Sequence, residues 1–265
     1  MRSIDLHSHI LPGVDDGPAA IEGSLALARA AAAAGTATIV ATPHVNEDRL
    51  IAPAHIPRAA AALDERIRAE GIELEVVPGG EIALRRLLDL TEEELASLGL
   101  GGGPYLLLES PFAGVADDFE AVIEDVLARG HRVLLAHPER CPTFQRDPGR
   151  LAPLVEAGVL VQLTAGALTG DFGSRVRASA LELLRAELVH VIASDAHNDG
   201  MRPPGILDAV AEIEADMPGI GERADWMCRE VPAAILAGDP IPEPAPLPAV
   251  RPGAWRRLAV AARRR

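Results

Sequence analysis

His7 and His9 stand one residue apart at the end of a strand-like segment, so both imidazoles project from one face and can reach a single ion. The arrangement recurs along the chain. Thr42-Pro43-His44, Gly79-Gly80-Glu81, Glu109-Ser110-Pro111, His137-Pro138-Glu139-Arg140 and Ser194-Asp195-Ala196-His197 each close an apolar run. In four of these five, a Pro or Gly beside the ligand type stops the strand and frees the side chain to turn inward. With Asp16 in the loop after the first pair, the candidate metal ligands are His7, His9, Asp16, His44, Glu81, Glu109, His137, Asp195 and His197. An isolated H-x-H is as often an ordinary hydrogen-bonded pair. Recurrence at strand ends favours a shared metal site over a coincidental polar rim.

Imidazoles and carboxylates without thiolates suit borderline to hard ions such as zinc, iron or manganese. Five histidines and four carboxylates are too many for one ion, whereas two or three divalent ions sharing a bridging group use them all. Such sites suit phosphoryl displacement, because they lower the pKa of a water and clamp the attacking and leaving oxygens. Every basic residue is Arg and none is Lys, so a Schiff-base lysine and the lysine of a phosphate-binding loop are excluded. Phosphate must meet arginine, backbone amide or metal. Arg140, three residues after His137, and Arg202, five after His197, are the candidate phosphate-binding arginines. His55, His131 and His190 fall before a helix or at strand beginnings, away from this rim, and are set aside as structural or solvated.

Positioning these groups requires a repeating scaffold. Strands are expected over Ser3–His7, Thr36–Thr42, Glu73–Pro78, Tyr105–Glu109, Arg132–His137, Val159–Leu163 and Val189–Ser194, and most are Val/Ile/Leu-rich as buried parallel strands are. Helices are expected over Ala19–Ala34, Pro57–Glu70, Val115–Arg129, Pro148–Glu156 and Ser174–Ala186, several ending at a glycine. Seven strand–helix units predict an α/β parallel barrel, closed or nearly so, with a doubly wound open sheet as the competing architecture. One domain is expected over 1–237. From Gly238 the chain becomes a Pro-rich linker leading to Trp255-Arg256-Arg257 and Arg263-Arg264-Arg265, a tail over 238–265 that is either a solvated end or a docking segment.

The chain has 265 residues, within the ~250 that β/α barrels often use for one domain, and 48% hydrophobic residues allow a large core. Aromatics are 3%, so Ala, Leu, Val and Ile must fill it. A formal charge of -14 argues against nucleic acid as partner. Two cysteines, Cys141 and Cys228, give no disulfide framework. No signal-peptide pattern precedes the first strand, and no apolar run approaches the ~20 residues of a membrane span, so a cytoplasmic location is expected.

These motifs together resemble the polymerase and histidinol phosphatase (PHP) superfamily: Asp5-Leu6-His7-Ser8-His9, Asp15-Asp16-Gly17, Thr42-Pro43-His44, Gly80-Glu81, His137-Pro138-Glu139-Arg140 and Ser194-Asp195-Ala196-His197. Within it, His7 to Pro18 and Ala136 to Arg140 resemble the bacterial manganese-dependent protein-tyrosine phosphatases of capsule and exopolysaccharide operons. The resemblance spans about Ser3 to Gly205. It implies a distorted seven-stranded β/α barrel of TIM-like type holding three metals, often manganese. By position, it implies that His7 and His9 hold the first ion, with Glu81 bridging to a second and Asp195 nearby. Glu109 and His137 complete the second ion, Asp16, His44 and His197 hold the third, and Arg140 and Arg202 bind the phosphoryl oxygens. The implied partner is a phosphotyrosyl protein, a bacterial tyrosine kinase controlling polysaccharide export. Two features depart from the pattern: Cys141 stands where an aromatic residue often follows the arginine, and the tail after Gly238 lies outside the likeness. Self-association is neither implied nor excluded.

The expected mechanism is in-line attack by a metal-activated hydroxide, without a phosphoenzyme. A thiol-based phosphatase needs an Arg six positions after its Cys, but those positions hold Asp147 and Ala234. Three alternatives remain: a small-molecule phosphatase of the histidinol-phosphate type, a phosphodiesterase or exonuclease, and a non-catalytic docking regulator. The acidic balance disfavours the second, and an intact ligand set disfavours the third.

Overall fold

The computed structural model describes residues 2–47, 52–111 and 119–244. Strands and helices alternate: β1 Ser3–Ser8, α1 Ile21–Ala33, β2 Thr36–Ala41, β3 His44–Val45, α2 Ile56–Ala69, β4 Glu75–Pro78, β5 Glu81–Ala83, α3 Glu92–Ser97, β6 Tyr105–Glu109 and α4 Phe119–Ala128. The second half continues with β7 Arg132–Ala136, α5 Pro142–Arg146, α6 Leu151–Glu156, β8 Leu160–Thr164, α7 Ala165–Thr169, α8 Ser174–Arg185, β9 Val191–Ala193, α9 Ile206–Glu212 and α10 Val231–Ala237.

Every strand pairing is parallel, in two sheets ordered β1-β2-β4 and β3-β5-β6-β7-β8-β9. The protein is therefore of the α/β class with parallel sheets. Each of the seven expected strands is present, and β3 and β5 are additions of two and three residues. They arise where Thr42-Pro43 and Gly79-Gly80 interrupt β2 and β4, and the chain resumes pairing in the second sheet. The Glu81 amide donates to the Pro43 carbonyl at 3.1 Å across this break. At the other side, Ser8 and Ala196 form a parallel bridge. There the His9 amide donates to Ala196 O at 2.8 Å and the Asp195 amide to His7 O at 2.9 Å.

The strands carry near-continuous apolar runs because both faces are covered: Leu106, Leu107 and Leu108 in β6 and Val133, Leu134 and Leu135 in β7 are all buried. Helix α2 shows how the outer layer attaches. Pro57 presets its first turn, and Ile56, Ala60, Leu63 and Ile67 bury one stripe at helical spacing. From the same helix, Asp64 accepts the Val76 amide of β4 at 2.9 Å. Truncating a side chain such as Leu63 to Ala would cost ~2–5 kcal/mol. Gly35 and Gly130, just past α1 and α4, have φ of 87° and 90°, the left-handed stop that glycine allows without strain.

Some boundaries differ from expectation. The segment 148–156 begins as a 3-10 turn, with α-helix only from Leu151. The fourth expected helix is seen from Phe119, and its start at 115–118 lies outside the described residues. The Gly99–Pro104 stretch contains a 3-10 turn at Leu100–Gly102. After α10 the chain stays on the body: Arg132 donates to Gly238 O at 3.2 Å and Trp226 Nε1 to Pro242 O at 2.8 Å. The arginine-rich part of the expected tail, 245–265, lies outside the described residues. Among the described residues, no helix is long and apolar enough to cross a membrane.

Candidate metal centre

All nine candidate ligands meet in one cluster, eight of them at or just past the C-terminal ends of β1, β2, β4, β6, β7 and β9 and Asp16 from the loop after β1. Their donor atoms form four overlapping groups in which every atom lies within 4.8 Å of the others: His9, Asp16, His44 and His197; His7, His9 and Asp195; His7, Glu81 and His137; and His44, Glu81 and Glu109. Glu109 therefore groups with Glu81 and His44 rather than with His137. His55, His131 and His190 belong to none of these groups; His131 pairs with Glu92 at 2.9 Å.

The backbone aims these side chains at some cost. His137 and Asp195 adopt left-handed φ of 38° and 52°, a conformation that costs ~1–3 kcal/mol per non-glycine residue. Each is held by a neighbouring strand, His137 by its amide bond to Gln162 O at 2.8 Å and Asp195 by its bond to His7 O. Buried Asp5 fastens the first strand to the last, accepting the Ser194 amide at 3.0 Å and the Ser194 hydroxyl. Close packing also shapes the loop that carries Asp15 and Asp16. A Cβ at Gly17 would lie 1.9 Å from His9 O, so no larger residue fits there without moving backbone.

Hydrogen bonds behind the cluster fix which nitrogen faces inward. His7 Nδ1 donates to Gln162 Oε1 at 3.0 Å and His9 Nδ1 to Asp15 Oδ2 at 2.6 Å, leaving both Nε2 atoms as inward lone pairs. Those Nε2 atoms are 3.3 Å apart. Asp195 Oδ1 lies 3.4 and 3.3 Å from them, and Glu81 oxygens lie 3.5 Å from each. In these tautomers the two Nε2 atoms and the Asp195 and Glu81 oxygens around them are all acceptors, and acceptors do not attract one another. Ligand atoms bound ~2.0–2.2 Å from a shared cation lie about 3.0–3.6 Å apart, which matches these separations. His44 Nδ1 and Glu81 Oε2 sit 2.8 Å apart without hydrogen-bonding geometry, and buried His197 Nε2 also has no hydrogen bond. The donor set thus fits divalent metal ions.

The electrostatics agree. Burial opposes ionisation of Glu81, but His7, the hydrogen bond from His137 and the nearby His44 outweigh it and hold the carboxyl well below its usual range. Burial likewise disfavours charge on His7, yet Glu81 and Asp195 raise its pKa. Asp15 is opposed by burial but brought down to about 2 by its bond to His9. Glu109 is pushed up to about 7, by burial first and by Glu81 second. Carboxylates that would hold protons on His7 and His9 will hold a divalent cation in their place.

Arg140 and Arg202 converge on one edge of the cluster. Arg140 Nη1 donates to Asp195 Oδ2 at 2.8 Å, and Arg202 pairs with the same oxygen. Both guanidiniums lie over the Phe172 ring, with Cζ 4.4 and 5.8 Å from its centroid. Cys141 faces away: it is buried and lines a small cavity with Phe119 and Phe144. Four residues act here without a role assigned from the sequence: Asp5 and Asp15, which stand in the quoted motifs, and Gln162 and Phe172. Asp15 had a visible cue, an acidic residue beside Asp16 and six after His9. Gln162 and Phe172 had none.

A cluster of imidazoles and carboxylates at the strand ends of a parallel α/β fold, flanked by paired arginines, defines a metal-centre protein of phosphate-handling type. Its sequence belongs to the CpsB/CapC family of capsular polysaccharide synthesis, whose profile matches residues 3–236. The chain is similar to tyrosine-protein phosphatase YwqE of Bacillus subtilis, 37% identical over 252 residues covering 94% of this chain and 97% of that one. It is also similar to a putative tyrosine-protein phosphatase, CapC, of Staphylococcus aureus, 32% identical over 203 residues covering 76% and 79%. Among solved structures it resembles a chain from the work on YwqE from Bacillus subtilis and CpsB from Streptococcus pneumoniae, described as unique metal-dependent tyrosine phosphatases. The TM-score is 0.80 at 35% identity, covering 94% of this chain and 100% of that one.

Proposed function

We propose that this protein is a metal-dependent protein-tyrosine phosphatase acting on a phosphotyrosyl protein, a bacterial tyrosine kinase that controls capsular or exopolysaccharide synthesis. The observation that carries this reading is the inward-facing acceptor cluster beside the Arg140–Arg202 pair, in a chain so similar to YwqE along its length. The ligands would be His7, His9, Asp16, His44, Glu81, Glu109, His137, Asp195 and His197, holding two or three divalent ions. Manganese is the favoured metal, with iron and zinc as the competitors. We further read the two sheets as one distorted seven-stranded barrel over 1–237, in which β3 and β5 continue β2 and β4 and the Ser8–Ala196 bridge joins its ends. The Pro/Arg-rich tail follows over 238–265. Two buried free thiols suit a reducing cytoplasm.

When bound, the ions supply an acidified water and neutralise phosphoryl charge. The protein's own groups do the rest. Asp15 and Gln162 hold His9 and His7 in the tautomers that present Nε2 inward. Arg140 and Arg202 stand at the mouth, about one-fifth and one-quarter exposed, with guanidinium donors for two phosphoryl oxygens. Phe172 backs both guanidiniums and limits their motion. No side chain needs to accept the phosphoryl group.

The test is kcat/KM of the metal-loaded enzyme on a phosphotyrosyl peptide and on histidinol phosphate. The proposal expects the peptide to be preferred. A preference for histidinol phosphate would replace it with a small-molecule phosphatase.

A further inference from the structure

Beside the arginine pair lies a cavity of about 260 Å³, between helix α7 with the loop after it and helix α9. Arg202 and Phe172 form the partition it shares with the phosphate-facing edge. Its size is below the ~300–1,000 Å³ of pockets for drug-sized ligands, which suits one side chain rather than a whole small molecule.

The lining is unbalanced in charge. Asp171, Asp208 and Glu212 contribute carboxylates against a single cation, Arg202, whose guanidinium already pairs with Asp195. A second feature independently asks for a ligand. Thr164 also lines the cavity, is 1% exposed, and its hydroxyl oxygen has no hydrogen-bond partner. Its amide is committed to Glu139 Oε1 at 2.9 Å, which leaves the hydroxyl as the unsatisfied group of this lining residue. A buried hydroxyl left unpaired is costly and is normally satisfied by a partner. The local chain is built to keep the acid in place: a Cβ at Gly166 would come within 2.9 Å of Asp171 Oδ2 and 3.2 Å of the Phe172 ring. Ala165, Pro203 and Ala209 add apolar wall along which an alkyl stem can lie.

We propose that this cavity is a subsite for a cationic side chain, arginine or lysine, flanking the phosphotyrosine of the substrate. The inference rests on the phosphotyrosyl reading given above and adds sequence preference to it. Neighbouring residues of an extended peptide are ~3.3–3.6 Å apart along the chain, so a phosphoryl group held at Arg202 leaves an adjacent side chain on the cavity side of the partition.

The test uses metal-loaded enzyme and phosphotyrosyl peptides identical except for Arg, Ala or Glu beside the phosphotyrosine. The Arg peptide is expected to exceed the Ala peptide in kcat/KM by about tenfold, and the Glu peptide to fall below both. Replacing Asp208→Asn together with Glu212→Gln should erase that order while hydrolysis of p-nitrophenyl phosphate stays unchanged. Equal turnover of all three peptides by the wild type overturns the subsite and leaves the phosphatase reading standing. A preference that survives the double substitution also overturns it. Turnover of none of the peptides refutes the phosphatase reading and the subsite with it.

Discussion

Replacing Asp15 by Asn tests whether the groups behind the cluster set metal affinity. One Asp15 oxygen accepts His9 Nδ1–H at 2.6 Å and the His44 amide at 3.1 Å; the other accepts the Gly17 amide at 2.9 Å. An amide has only one acceptor. Turned toward His9, it keeps that bond in neutral form and sets its NH2 against the Gly17 amide. Turned the other way, it confronts two donors. The first arrangement costs less, and it exchanges a charge-assisted bond for one about half as strong while sacrificing the Gly17 contact. Losing ~1–3 kcal/mol of support for the His9 tautomer corresponds to roughly 10–100-fold in metal affinity. Calorimetric titration of metal-stripped protein with Mn²⁺ measures this directly, and activity should largely return at saturating metal. An unchanged affinity would refute the role of Asp15, as would activity that added metal never restores.

Three further outcomes follow from other parts of the molecule. Burial drives the His190 pKa down from 6.5 to about 4, so between those values the unfolded chain binds the proton that the native protein refuses. Stability should therefore fall as pH drops from about 6.5 to 4, by up to about 3 kcal/mol from this group; urea unfolding of His190→Gln should show a shallower decline, and an identical decline would exclude the histidine as its source. Phe172→Ala removes the face beneath both arginines and should raise KM for an aryl phosphate roughly tenfold, with kcat less affected. An unchanged KM would show that the ring does not position them. Cys141→Ser should retain most activity, because the thiol is buried away from the arginines; lost turnover at unchanged metal content would restore it as a candidate nucleophile.

The candidate ligands other than Asp16 were legible because each is announced locally, by an apolar run that ends in Pro, Gly or a second ligand type, and parallel α/β folds collect strand ends on one rim. Their supports were less so. Gln162 sits in the middle of β8, where nothing in its neighbours distinguishes a hydrogen-bonding glutamine from a polar interruption. Phe172 lies on the loop between α7 and α8, and the arginines it backs, Arg140 and Arg202, are 32 and 30 residues away in sequence. Strands β3 and β5 are too short for any periodicity to register. Helix α3 did carry a cue, the Thr91-x-x-Glu94 capping box, and its hydrogen bonds are formed in the structure. The short helices α5, α7, α9 and α10 give too few turns for an apolar stripe to stand out.

Elemental analysis of the purified chain, paired with activity before and after chelation, tests the metal centre most directly. Two or three divalent ions per chain are expected, with phosphatase activity lost on stripping and regained on adding Mn²⁺, and with both signals reduced in Glu81→Ala, whose carboxylate belongs to two of the four ligand groups. A chain that carries no ion and hydrolyses phosphotyrosine equally well in chelator would contradict the account.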